Sequence, residues 1–265
     1  VKATVIALFL LVSISLGFSL LPWEAGQWAS YYSGEEVGEM LFSLIETADS
    51  PDWLWIQVEL TIPELGPMVV QLAFDEVGVE TVFSQLAGYL DDPEGQNEQF
   101  SDFEMLLEQY ASFCPEIRLG MADPLSSNGQ MFVISIDGTM LSEFAGMTDA
   151  FQEEIDDIEE LIYIVEDGVG ITATAGDFLC RRITSEKTTA LYSEAVPIFG
   201  LVSTTIEDTE LEESYSGKLM DYGLSGATDA LAGYGPPMDF MDYLSDAVPE
   251  MLIYTEDDRL DNKRQ

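Results

Sequence analysis

Residues 1–21 form an unbroken apolar run, VKATVIALFLLVSISLGFSLL, whose single charge is Lys2. Drawn as a helix it extends about 31 Å at ~1.5 Å per residue, enough to cross a hydrocarbon core of ~30 Å. Pro22, Trp23 and Glu24 close the run. A secretory signal has a shorter apolar core and a small-residue cleavage site. Ser19-Leu-Leu-Pro-Trp-Glu24 is a poor example of the latter. The run therefore predicts a retained helix in a membrane or in the core of an assembly, with the rest of the chain held outside the cell. Lys2 on the short flank agrees with that orientation.

The remainder is acidic. The 265 residues contain 50 Asp and Glu, 9 Lys and Arg and no His, a net charge of −41. Lys2, Arg259, Lys263 and Arg264 lie near the ends, so Arg118, Arg181, Arg182, Lys187 and Lys218 alone serve the body. Most carboxylates must face solvent, cations or one another. Such a surface repels nucleic acid, whose binding needs Lys and Arg against phosphates. It suits a salty exterior, where the Debye length falls to about 3 Å at 1 M, or an acidic one that protonates carboxylates near pH ~4. Hydrophobic residues make up 47% of the chain, which is enough for a folded core despite the charge.

Periodicity predicts mixed elements. A capping box at Ser33 and Glu36 precedes Val37, Met40, Leu41, Leu44 and Ile45 at helical spacing, predicting a helix to Ala48. Residues 53–62 alternate as a half-buried strand, and 68–74 return as its hairpin partner. A helix carrying Val82, Phe83, Leu86, Tyr89 and Leu90 follows, and another over 101–113. After a strand at 131–136, a long helix bears Leu141, Phe144, Met147, Phe151, Ile155, Ile158 and Leu161 on one face. Asp167-Gly168 reads as the turn of a hairpin between 161–165 and 169–175. Strands at 178–184 and 199–206, a helix at 209–222, a loop at 223–237, an amphipathic stretch at 238–251 and a strand at 252–255 complete the reading. The class expected is α+β, with a mainly antiparallel sheet and packed helices behind the N-terminal hydrophobic helix. The organisation expected is an anchor at 1–22, an aromatic joint and amphipathic helix at 23–50, an acidic domain at 51–258 and a basic tail at 259–265.

Chemistry is sparse. Without histidine there is no Ser-His-Asp or Cys-His site and no ordinary catalytic zinc site. No Walker A, G-x-S-x-G or G-x-G-x-x-G is present. An enzyme is therefore not expected, and no cofactor is implied. Glu153, Asp156, Asp157 and Glu160 would share one outer helix face, either as a solvated surface or as oxygen ligands for Ca²⁺. Cys114 and Cys180, an even pair in an exported chain, predict one disulfide, with two buried thiols as the alternative. Arg181-Arg182 and the tail from Arg259 to Arg264 would meet acidic neighbours in adjacent subunits, or else balance charge locally.

The Met-less start at Val1, the apolar run to Leu21, the proline at Pro22, the aromatic continuation at Trp28, Tyr31 and Tyr32 and the single cysteine pair together resemble type IV pilins and pseudopilins. Val5 stands where bacterial pilins usually carry Glu. The resemblance implies a structural subunit of a cell-surface filament. In it, Val5, Leu8, Val12, Leu16 and Pro22 would form an assembly helix packing against further copies of the chain. The competing expectations are a single-span accessory subunit packing on larger membrane proteins, and a surface-anchored domain binding divalent cations.

Overall fold

The computed structural model describes residues 21–34, 38–62, 66–81, 84, 114–122, 131–138, 163–185, 188–208, 213–240 and 242–243. Twelve strands make one sheet: β1 (Trp28–Tyr32), β2 (Glu39–Thr47), β3 (Ser50–Ile62), β4 (Gly66–Phe74), β5 (Glu116–Ala122), β6 (Met131–Asp137), β7 (Ile164–Ala173), β8 (Gly176–Thr184), β9 (Thr188–Tyr192), β10 (Leu201–Asp208), β11 (Glu213–Gly223) and β12 (Met238–Asp239). Their order is β12-β6-β5-β4-β3-β2-β1-β11-β10-β9-β8-β7. Two meanders, β1–β6 and β7–β11, thus join side by side where β1 meets β11, antiparallel, with Ser30 opposite Asp221. β12 adds to β6 in parallel at one edge.

Alternation assigns the faces. Met40, Phe42 and Leu44 on β2 stand opposite Leu60, Val58 and Ile56 on β3. With Ala29 and Tyr31 from β1, Val70 and Phe74 from β4, Ile134 and Ile136 from β6 and Leu219 from β11, they form one continuous core. The strand pairs β8–β9 and the 193–200 connection add Phe178, Cys180, Tyr192, Val196, Ile198 and Phe199 to the same core. Phe42 stands edge-on to both Tyr31 and Phe199, with centroids 5.7 and 5.6 Å apart. The Tyr31 hydroxyl donates to the Leu201 carbonyl at 3.0 Å, which satisfies the polar tip of a buried ring.

The α+β expectation is corrected: the described residues are mostly strand, with helix limited to short pieces such as 76–81. The capped helix expected to end at Ala48 is β2, and just ahead of it the Ser33 N–H donates to the Gly38 carbonyl at 2.8 Å. There Gly34 and Gly38 adopt φ of 77° and 72°, and Gly38 N–H donates to the Gly34 carbonyl at 2.9 Å. Met40, Phe42 and Leu44 satisfy a period of two as well as of 3.6, and the matching row on β3 decides between them. The helix expected at 209–222 is largely β11, whose Gly217 and Leu219 are buried between β10 and β1. Asp167-Gly168 is not a hairpin turn. It is a bulge within β7, with Gly168 at φ 76° and a register shift between Glu166 and Val169. The strands at 53–62, 68–74, 131–136 and 178–184 stand as expected, as does the loop at 223–237.

The pilin-like reading goes with the helices. The described residues from Trp28 onward are a twelve-stranded sheet, and no described helix is long and apolar enough to cross a membrane. The filament-subunit expectation falls with it. The two competing readings rested on an anchor helix or an acidic helix face, and neither has one among the described residues. Val5, Leu8, Val12, Leu16, the helices at 101–113 and 141–161 and the basic tail lie outside the described residues.

Candidate functional site

The side of the sheet opposite the main core is where polar residues are buried. On β3 the outward row is Trp55, Gln57 and Glu59, and on β4 it is Val69, Gln71 and Ala73. Gln57 and Gln71 face each other and both are 0% exposed. The cover is the chain after β11, residues 224–234, which crosses this face as a strap. Ala227 N–H donates to the Gly26 carbonyl at 2.9 Å, and the Trp28 indole N–H to the Ser225 carbonyl at 3.2 Å. Gln57 Nε2 donates to the Thr228 carbonyl at 3.2 Å while its Oε1 accepts from Ala230 N–H at 2.9 Å. Gln71 Nε2 donates to Gln57 Oε1 at 2.9 Å and to Asp229 Oδ1 at 2.7 Å. The same Asp229 oxygen caps Leu231 N–H at 2.9 Å.

Apolar contacts finish the fastening. Leu231 packs with Val69 and Val133, and Ala227 beside Ile45, Trp55 and Ala73. Gly120 on β5 is needed for this approach: a Cβ there would stand 2.4 Å from Leu231 Cδ2. Next to the strap, Arg118 is buried with its guanidinium 4.3 Å from the Trp55 ring centroid. It donates to Asp49 Oδ2 at 2.7 Å and Glu116 Oε1 at 2.9 Å. The hydrogen bond from Arg118 holds the Asp49 carboxyl below the ordinary carboxylate range.

Between strap and sheet lies an open cleft of about 790 Å³. Its floor is the outward face of β1, β2 and β3, with Trp28, Leu41, Ser43 and Glu59. Its walls include Glu39, Met131, Asp221 and, from the strap, Thr228, Ala230 and Tyr234. Glu39, Glu59 and Asp221 line it and no Lys or Arg does. Desolvation raises the Glu59 pKa, partly offset by the hydrogen bond it accepts from Gln57 at 2.9 Å. Ser43 is 1% exposed and lines the cleft. That combination of half-buried aromatic and aliphatic surface with three carboxylates can hold a small organic molecule. Among the described residues that line it there is no nucleophile–base pair.

The residues singled out from the sequence lie elsewhere. Glu153, Asp156, Asp157 and Glu160 are outside the described residues, and among those described no three acidic or thiol groups gather as metal ligands. Cys114 and Cys180 are both free thiols buried in the main core, so the expected disulfide is corrected. Burial pushes the Cys114 thiol up to about 12 and raises that of Cys180 as well. Both should resist alkylation near neutral pH until the chain unfolds, then react without added reductant, as mass spectrometry would show. Arg181 and Arg182 pair inside their own hairpin, with Asp167 at 2.7 Å and Glu166 at 3.0 Å. Pro22 contributes its carbonyl to Gln27 Nε2 at 2.9 Å. The cleft residues carried a sequence signal only in part: Gln57 and Glu59 read as a polar strand face, and Trp28 as interfacial aromatic surface.

No family model matches the chain, and no curated protein does either. Among solved structures it is similar to an exported protein with YmcC-like fold from Bacteroides fragilis, at TM-score 0.30 and 11% identity over 78% of this chain and 99% of that one. It is similar also to a lipoprotein from Parabacteroides distasonis, at TM-score 0.29 and 11% identity with the same coverage. Neither neighbour is a pilin, and likeness at this level carries no statement about what this chain binds.

Proposed function

We propose that this chain is a non-catalytic binding protein of the cell exterior, whose ligand site is the cleft beneath the strap and which needs no cofactor. The observation that carries the reading is the cleft itself. Its volume of about 790 Å³ falls within the range of small-molecule sites. Its strap is anchored to two glutamines that are both wholly buried, Gln57 and Gln71, a costly arrangement for a plain surface loop. The exterior location rests on the charge of −41, which suits a salty or acidic medium, and on the apolar run at 1–21. The same acidity sets nucleic acid aside as a partner.

Native mass spectrometry and tryptophan fluorescence, against a panel of small cationic, neutral and anionic organic molecules, test the reading. The wild-type chain should take up a single copy of a ligand from one of these classes, with a change in Trp28 emission. Ala227→Trp, which fills the cleft from the strap side, should abolish both signals while circular dichroism stays unchanged. Uptake of nothing in the panel, or equal uptake by the filled variant, overturns the assignment.

A further inference from the structure

The pairing register places the cleft carboxylates along a line. Asp221 on β11 stands opposite Ser30 on β1, Ser30 opposite Leu41 on β2, and Leu41 opposite Glu59 on β3. One row across four adjacent strands therefore reads acid, hydroxyl, aliphatic, acid. Three interstrand spacings of about 4.8 Å put its ends roughly 14 Å apart. Glu39 lies on β2 two residues along from Leu41, beside the row, and holds the Ser30 hydroxyl at 2.6 Å. In the neighbouring row Trp28 stands opposite Ser43.

Carboxylates spread this way cannot converge on one metal ion, and no such ligand set occurs among the described residues. They do fit charges separated along a flexible carbon chain. Resting on the cleft reading above, we infer that the ligand is an extended linear polyamine lying across β11, β1, β2 and β3. One terminal ammonium would sit at Asp221 and the other at Glu59, with an inner ammonium near Glu39. Its methylenes would cover Leu41, while Trp28 and Tyr234 offer ring faces to the cationic groups. The Ser43 hydroxyl, on the cleft lining, would accept a hydrogen bond from an ammonium group. Burial that disfavours the charge on Glu59 adds to the argument, because a cation placed there restores what desolvation removes. Lys218 on β11 lies across Tyr32 from Glu39 and does not line the cleft, so among the described residues no Lys or Arg occupies the site.

A chain this acidic attracts any polycation, so the test is isothermal titration calorimetry with spermine in ~1 M NaCl, where screening within about 3 Å suppresses diffuse adsorption. Spermine should bind at one site, and 1,3-diaminopropane, too short to span the row, at least ~10-fold more weakly if each charge-assisted contact counts. Glu59→Gln and Asp221→Asn should each lower spermine affinity by about 10-fold or more on the same ground, whereas Glu80→Gln, an exposed carboxylate outside the cleft, should not change it. Many weak sites of equal strength in all variants, or equal affinity for the short diamine, overturns the inference. If a neutral or anionic molecule binds and is lost in Ala227→Trp while spermine does not bind, the cleft reading stands and the polyamine falls. If no class of ligand binds, both fall.

Discussion

The two halves of the sheet treat their outer faces in opposite ways. Across β3 and β4 the outward side chains include Gln57 and Gln71, both sealed from solvent at 0% exposure. Across the β7–β8 hairpin they include Leu179, 71% exposed, and Ile164, 60% exposed. Polarity and burial are thus reversed between two antiparallel pairs of one sheet. Strand alternation tells which residues share a face, but not whether that face is covered. Covering comes from a segment some 170 residues away in the chain: the strap buries one face and stops short of the other. The teaching is that a glutamine pair in register can mark a covered outer face: Gln57 bonds the strap through both its amide atoms and Gln71 through its Nε2.

That contrast can be broken at its strongest point first. Trp55 is 0% exposed under the strap, with Arg118 stacked upon it. Trp55→Ala should cost about 3–5 kcal/mol in denaturant unfolding. A cost below ~1 kcal/mol, typical of a surface site, would mean the outer face is not sealed. Next, Gln71→Ala strips the amide that ties Gln57 to Asp229 and should cost about 2–3 kcal/mol. Combined with Asp229→Ala it should add less than the sum, since both changes open the same network.

The pH dependence sharpens the comparison within the covered half. Asp49 has a depressed pKa, so its contribution is present above the unfolded carboxylate value and is lost as pH falls through the folded one. Glu59 has a raised pKa, so its contribution is full below the unfolded value and is lost as pH rises through the folded one. Asp49→Asn should therefore reduce the stability difference between pH 6 and pH 3, and Glu59→Gln should enlarge the stability retained at pH 6 relative to wild type. Chemical melts at the two pH values, about either side of the carboxylate range, read both signs. The smallest effect belongs to the bare half: Leu179→Ser should alter stability by no more than about 0.5 kcal/mol. A larger loss would show that something covers β8.

Much of the sheet was legible in the sequence. Residues 53–62, 68–74 and 131–136 alternate cleanly or run apolar, and their pairing follows. The misreadings arose where a pattern serves two periods. Met40, Leu41, Leu44 and Ile45 suit a helix until Phe42 is counted with Met40 and Leu44 as a row facing β3. Asp167-Gly168 suits a tight turn and equally a bulge, since both need a residue of positive φ. The cleft was the least legible part. It is assembled from six strands and a loop whose mutual register no local pattern contains, so Asp221 and Glu59 look like any of 50 acids until β11 is placed beside β1.

The meeting of β1 with β11 also has a consequence for the order of events in synthesis. A ribosome can release the whole β1–β6 meander while Gly223, the partner of Trp28, is still unmade. During that interval the meander has an open edge at β1 and bare amides at Gln57 and Gln71. Long-range closure of this kind is slow, and an exposed strand edge is a template for wrong pairing. Folding of this protein is therefore a late, end-dependent event, and a chain stopped before residue 213 should be held by chaperones or lost to aggregation instead of accumulating as a stable half.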